Sequence, residues 1–421
     1  MIILLIYIAI FAVSFFAVRL ISRRMTHKND YTALKTVTFG DESTVVSSRA
    51  ASVLSILTIF LIWGAFTGSK LTPIHAPGPF EGRSTFTYTL QAADGTTDDA
   101  TVHVLVQKEG GSEKLGDIPL GEGFAKDDGA EVRAWRSDLL RVDSNDELGR
   151  DAGAKVVAID GKPIAPGQEV SVASGSVAMT SRGSLNYKPA TGWQMEPVWL
   201  PAPEKVYSRL VETMQNGYQN FSLFEHVYWS LVRVVAGFVL GSIVGIPLGY
   251  AMGLSNWFRG WFDPIVEFMR PVPPLALIPL VIIWAGIGEP GKIILLFLAA
   301  LWIMAIAARS GVSGVNISKI HAAYSLGASK WQILRYVIVP NSLPEIFTGA
   351  RVAMGVCWGT VVAAELVAAE KGAGMMIMVA SRFQLTDLVI MGILLIGVIG
   401  FMIDVMMRKA EGWLIPWKGK S

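Results

Sequence analysis

Seven stretches of this chain are apolar over a length that suits a lipid bilayer. Inside a bilayer the backbone must satisfy its own hydrogen bonds, so each crossing has to be a helix. The stretches are Ile2–Val18 ("IILLIYIAIFAVSFFAV"), Ala51–Phe66 ("ASVLSILTIFLIWGAF"), and five more near Val227–Gly253, Pro271–Gly286, Lys292–Ala308, Glu345–Val367 and Leu388–Met407. Ile2–Val18 has no basic residue before it and no small-residue cleavage site after it, and reads as a retained anchor. Only 17% of the residues are charged, against about a quarter in ordinary soluble domains. The expected fold class is an all-α polytopic membrane protein. The net charge of +2 gives no electrostatic footprint for nucleic acid.

Orientation follows from short-loop lysine and arginine. Arg19, Arg23, Arg24, Lys28, Lys35 and Arg49 lie between the first two spans, so that loop is expected in the cytoplasm and the N-terminus outside. Counting onward puts His321–Pro340 inside, in agreement with Arg309, Lys319, Lys330 and Arg335. The tail with Arg408, Lys409, Lys418 and Lys420 also falls inside.

The segment Lys70–Val198 is different in kind. It is rich in Gly, Asp, Thr and Ser, and apolar residues alternate in "TFTYTL", "ATVHVLV", "AKVVAID", "EVSVASGSVAMT" and "SLNYKP". Turn-forming runs such as "ADGTTDD" and "IDGKPIAPGQ" separate them, which predicts short strands in a sandwich or small barrel. "FTYTLQAADGTTDDATVHVLV" resembles strands of bacterial cadherin-like, immunoglobulin-type repeats. The segment reads as an inserted, extracytoplasmic β-rich domain, a solvated spacer or docking module; its aspartates are also of a type that binds calcium.

Two features mark the later spans. Gly237, Gly241, Gly245, Gly249 and Gly253 recur every fourth residue, one smooth stripe along a helix that lets a neighbour approach closely. Arg233, Arg270, Arg351, Glu365 and Asp404 are ionisable groups in or near spans, and such groups face a cavity or a partner because a charge at the bilayer centre costs about 2.5–3.5 kcal/mol. Arg233 and Glu365 are expected towards the outer side, the other three towards the inner side. Arg233, Arg351 and Glu365 are candidates for lining a pathway, against the alternative of structural ion pairs or snorkelling.

No catalytic constellation is legible. "GIGEPGK" (Gly286–Lys292) has the spacing of a phosphate-binding loop, but Ile293 stands where Ser or Thr is required and spans flank it. Cys357 is the one cysteine and lies in an apolar run, a packing residue. No cofactor and no metal site are expected.

Between the last spans, "HAAYSLGASKWQILRYVIVP" (His321–Pro340) is semi-polar and rich in small residues. Trp331, Leu334, Val337 and Ile338 stand at near-helical spacing, and Pro340 and Pro344 are expected to stop the helix before the next span. A helix–turn–helix elbow at the inner face follows.

"AAYSLGASKWQILRYVIVPNSLPEIFTGAR" resembles the cytoplasmic "EAA" loop of permease subunits in bacterial ATP-binding-cassette (ABC) importers. The resemblance extends through "LPAP", "RPVPPLALIPLVIIWAGIGEPGKI", "VAAELVAAEKGAGMMI" and "LIPWKGK" to the branch that imports taurine, other sulfonates, nitrate and related anions, and is strongest to taurine permeases. It implies a type I ABC importer permease fold and no enzyme activity in this chain. It also implies a second copy of the permease, a cytosolic ATPase dimer, a periplasmic substrate-binding protein and the bacterial inner membrane. His321, Ala322, Ala323, Gly327, Ala328, Ser329 and Lys330 would then form the helix that couples to the ATPase. The expected domains are 1–49 (extra helix and linker), 50–69 (first core span), 70–198 (insert) and 199–421 (permease core with five spans and coupling loop 310–343). His321 stands where the family commonly has Glu, and the insert and first helix have no counterpart in the resemblance. A receptor using the β domain, a membrane-embedded enzyme, and a permease for another small anion are the rival readings.

Overall fold

The computed structural model describes residues 2–25, 49–108, 111–118, 121, 123–142, 144–148 and 153–417. Of the basic residues expected between the first two spans, Lys28 and Lys35 lie outside the described residues, as do Lys418 and Lys420; Arg19, Arg23, Arg24 and Arg49 belong to the flanking helices. The chain divides into two units, Met1–Glu204 and Lys205–Ser421.

The first unit opens with two apolar helices, α1 (Ile2–Met25) and α2 (Arg49–Thr67). The alternating segments then form β1 (Gly82–Gln91), β2 (Thr97–Gln107), β5 (Lys155–Ile159), β7 (Glu169–Val172), β8 (Gly175–Met179) and β9 (Leu185–Pro189). Three further strands lack clear alternation: β3 (Asp128–Arg133), β4 (Asp138–Leu140) and β6 (Lys162–Pro163). They form a five-stranded sheet in the order β3-β2-β1-β5-β6 and a four-stranded sheet in the order β4-β9-β8-β7. The β2–β3 pair is parallel. Inward residues of both sheets share one core, with the Phe86 and Tyr187 rings stacked at 6.0 Å. The buried Tyr88 hydroxyl lies 3.2 Å from Asp128 and 3.1 Å from Asp146; burial, then these two carboxylates, push the phenol far above its ordinary range.

The insert's two ends meet. Trp63 Nε1 donates to the Pro201 carbonyl at 2.9 Å, Ser69 Oγ donates to Glu204 Oε2 at 2.6 Å, and the Lys70 amide donates to Glu204 Oε1 at 3.1 Å. The β domain is thus an excursion that returns the chain to where it left, the arrangement in which insertions are tolerated.

The second unit is helical. It contains α3 (Pro203–Asn216, whose first residues belong to the first unit), α4 (Leu223–Leu254), α5 (Asn256–Met269), a 3-10 turn (Pro274–Leu277), α6 (Ile278–Ala285), α7 (Glu289–Ser313), α8 (Ile317–Ser325), α9 (Lys330–Ile333), α10 (Val339–Ala368), α11 (Ala373–Arg382) and α12 (Thr386–Leu414). The glycine stripe of α4 lies against α7. A methyl group on Gly241 would sit 2.6 Å from Ala300 Cβ, one on Gly245 2.6 Å from the Leu301 carbonyl, and one on Gly253 2.7 Å from Val312. The backbones touch where side chains would otherwise intervene.

Two expectations need correction. Pro271–Gly286 is not a straight span. Pro271, Pro273 and Pro274 remove backbone donors, so α5 ends at Met269 and α6 resumes at 95° to it after the 3-10 turn. The eight residues of α6 reach only about 12 Å. Among the described residues, four helices of the second unit are long and apolar enough to cross a membrane, five if this bent pair counts as one. Nor do Pro340 and Pro344 stop a helix. A π-turn over Leu334–Ile338, closed by the Val339 amide on the Leu334 carbonyl, carries α9 into α10 without a break. Widening the turn relieves the clash that a proline makes with the carbonyl one turn back. Pro344 leaves the Pro340 carbonyl without its helical donor, and the Trp417 indole supplies one at 3.3 Å.

Gly241→Leu is expected to destabilise the helix pair by about 3 kcal/mol, the upper range for overpacking. Gly355→Leu, at a site with nothing within 4 Å of an added methyl, is expected to leave the melting temperature in detergent unchanged.

Candidate functional site

The face of α4 that carries the glycines begins with three polar residues, His226, Ser230 and Arg233, spaced at i, i+4 and i+7. They meet the N-terminus of α11, whose first amides have no helical acceptor. The Gly372 amide donates to His226 Nδ1 at 3.1 Å, the Ala373 amide to Ser230 Oγ at 3.0 Å, and the Gly374 amide to Glu365 Oε2 at 2.9 Å. His226 Nε2 lies 3.0 Å from the Tyr218 carbonyl, which assigns its proton to Nε2 and leaves Nδ1 as the acceptor. Gly372 has φ of +147°, open only to glycine, and an added methyl would meet the Glu365 carboxylate.

Arg233 closes this cluster. It is 1% exposed, yet its charge is matched on two sides. Nη1 donates to Glu365 Oε1 at 2.6 Å and to the Lys371 carbonyl at 2.9 Å; Nε and Nη2 hold Glu289 in a fork at 2.6 and 2.7 Å. Ser230 Oγ lies 2.7 Å from Glu365 Oε1, and Lys292 Nζ donates to Glu289 at 2.9 Å. One guanidinium therefore ties α4, the start of α7, the end of α10 and the loop before α11. The sequence singled out Arg233 and Glu365 separately. It missed Glu289 and Lys292, which sit in the "GIGEPGK" run rejected as a phosphate loop, and it missed His226 and Ser230.

Beside the cluster opens a cleft of about 590 Å³ lined by the α6–α7 loop, the end of α10 and α11. Arg351 stands elsewhere, paired with Glu411 at 3.3 Å. Arg270 lies 3.9 Å from Glu267 one turn back, and Asp404 pairs with Arg408 one turn on. Cys357 is buried, its Sγ 3.5 Å from the Leu296 carbonyl. Among the described residues no group of three or more His, Cys, Asp or Glu side chains is placed to hold a metal.

The elbow lies where α7 hands over to α10, at the other end of these helices. Asn316 caps α8 by accepting from the Ser318 amide at 2.9 Å. Gly327 turns the chain at φ of +79° with open space around it. Ser329 and Gln332 form a capping box that starts α9. Ile320, Ala323 and Ala328 pack inward on Val312, Ile333 and Ile338. His321, Ala322, Gly327, Ser329 and Lys330 are exposed. Ala323 and Ala328, two of the small residues, thus face their own bundle. The exposed apolar surface of the elbow is instead Tyr324, Leu326, Trp331 and Tyr336, with Leu326 89% exposed; of these the sequence singled out only Trp331.

Residues 237–414 match the family "binding-protein-dependent transport system inner membrane component". Over 232 residues the chain is 43% identical to the taurine transport system permease protein TauC of Escherichia coli, covering 55% of this chain and 84% of that protein. The chain belongs to this family of ABC importer permeases. It falls in the branch of taurine, sulfonate and nitrate permeases. The putative aliphatic sulfonates permease SsuC of Escherichia coli is 36% identical, covering 54% of this chain and 85% of that one. The bicarbonate permease CmpB of Synechococcus elongatus is 30% identical, covering 51% and 81%. Among solved structures, an inward-facing form of the MetNI methionine ABC transporter aligns at 19% identity and a TM-score of 0.40, covering 45% of this chain and 94% of that one. The segment matched by the family lies wholly in the permease's second unit and includes the cleft, the elbow and the glycine stripe from Gly237 on.

Arg233→Leu strands Glu365 in a buried site and is expected to cost about 3–5 kcal/mol. Arg351→Leu, at a 31% exposed side chain, is expected to cost about 1 kcal/mol or less. Thermal unfolding of the purified chain compares the two, and Arg233→Leu with Glu365→Leu is expected to recover most of the first loss.

Proposed function

We propose that this permease is the transmembrane subunit of an inner-membrane importer that moves taurine or a related small sulfonate into the cytoplasm. The observation that carries the reading is the 43% identity to a taurine permease over most of that protein's length. Two permease copies would form the pathway, a periplasmic binding protein would deliver solute, and two cytosolic ATPase subunits would supply the energy. On this reading the N-terminus and the β domain lie outside and the C-terminus inside. Another small anion, such as an alkanesulfonate or nitrate, is the alternative cargo; the 36% identity to an aliphatic sulfonates permease supports it.

The ATPase contact is the elbow. Its inward side is anchored by Ile320, Ala323 and Ala328, so a push on the outer side is transmitted to α7 and α10. Leu326 and Tyr324 offer the apolar contact; His321, Gly327, Ser329 and Lys330 surround them. The charge cluster and the elbow sit at opposite ends of the same helices, which suits a device that converts movement at one end into opening at the other. Leu326→Asp is expected to leave insertion intact, since the side chain packs on nothing, and to lower uptake by the reconstituted transporter about tenfold, equivalent to about 1.4 kcal/mol of lost coupling. Wild-type uptake by that variant would remove the elbow from the mechanism.

The β domain is proposed to touch or guide the binding protein. Because its ends are pinned side by side, residues 70–198 are replaceable by a short linker. That variant is expected to insert normally and to bind the loaded binding protein more weakly; unchanged affinity and uptake exclude the role.

A further inference from the structure

The cleft beside the charge cluster carries two charges that have no partner among the described residues. Its inner wall is spent. Glu365 is held by Arg233, Ser230 and the Gly374 amide, and Glu289 by Arg233 and Lys292. Arg233 directs its N–H groups at Glu289, Glu365 and the Lys371 carbonyl, and at 1% exposure it is out of reach of a passing solute. Lys371 lies over the Trp229 ring at 4.2 Å and the Phe221 ring at 5.3 Å. Glu370 and Arg382 remain. Both line the cleft and both are exposed; among the described residues neither has an ion-pair or hydrogen-bond partner. The apolar part of the lining includes Ile287, Met375, Met378 and Val379.

We propose that this cleft is the transit site for the solute, and that Glu370 and Arg382 sort its two ends. The proposal rests on the function proposed above and names the site and the solute class. A short zwitterion with a sulfonate at one end and an ammonium at the other matches a lining that offers one unpaired cation, one unpaired anion and apolar side chains. The guanidinium of Arg382 presents a planar fork to a tetrahedral oxyanion, and Glu370 accepts from the ammonium. Exposed charges give only weak attraction, and a transit site has to let its cargo leave. This moves the pathway contact from Arg233 and Glu365, which hold the helices, to the loop before α11 and that helix's last turn.

The test uses the complete transporter, with ATPase and binding protein, reconstituted in liposomes. Uptake of taurine is compared with uptake of ethanesulfonate, the same skeleton without the amine. Each variant is expressed relative to wild type for each solute, so that the binding protein's own selectivity cancels. Glu370→Gln is expected to lower the taurine-to-ethanesulfonate ratio about fivefold, and Arg382→Gln to lower uptake of both solutes about fivefold, the scale of an exposed charge contact. Arg382→Lys is expected to recover part of the loss. Melting temperatures of the variants, expected at the wild-type value because both side chains are unpaired, separate a binding defect from misfolding. Wild-type uptake of both solutes by both variants overturns the site while leaving the function intact. An unchanged ratio in Glu370→Gln overturns the recognition of a zwitterion. A wild-type transporter that responds to its binding protein but carries neither sulfonate overturns the function, and this solute class with it.

Discussion

A guanidinium enclosed among apolar helices is tolerable only if carboxylates meet it, and the second unit is arranged so that they do. Arg233 holds Glu289 with two N–H groups and Glu365 with a third, and its contact with the Lys371 carbonyl fixes the loop that begins α11. Removing Arg233 leaves Glu365 buried without its counter-charge, so the cluster works as a lock on relative helix position as much as a source of stability. Its location at one end of α4 matters, because the same face continues as the glycine stripe. Polar side chains bind the first turns to α11, and bare backbone then binds the remaining turns to α7. A single face of one helix thus organises most of the bundle.

The other end of the bundle is held by different chemistry. The elbow needs a sharp reversal, supplied by Gly327, and two short helices started by side-chain caps on Asn316 and Ser329. The π-turn before Pro340 lets the elbow pass into α10 as one continuous rod, and the Trp417 indole replaces the donor that Pro344 lacks. A rigid join of this kind transmits displacement, whereas a helix stop at Pro340 would have placed a hinge there. On the proposed function this stiffness has a use: energy supplied by a separate ATPase would travel through the elbow without being absorbed by it.

The β domain has a core of its own. Its sandwich core is self-sufficient, closed by Phe86, Tyr187 and the buried Tyr88. The hydrogen bonds from Trp63, Ser69 and Lys70 to Pro201 and Glu204 make it an addition at one point of a pre-existing chain path. The family match, confined to residues 237–414, is consistent with that economy.

The sequence by itself determined the membrane class, the position of most spans, the presence of an inserted β domain and the family. These depend on local composition and period, on runs of apolar residues, on alternation, and on glycines every fourth position, all of which survive in one dimension. Six of the nine strands were legible for the same reason, whereas β3, β4 and β6 are short or lack alternation and are strands only because a neighbour pairs with them. Arg233 and Glu365 were visible as charges in apolar runs, but they are 132 residues apart, and nothing in their spacing says that they touch. Glu289 and Lys292 were read as part of a failed nucleotide motif, and Pro340 as a stop, because proline and glycine signals are local while their resolution by a π-turn or a distant indole is not. Which charges neutralise one another, and which are left without a partner among the described residues, was decided only when the helices packed, since burial is a property of the assembled bundle and not of the residue.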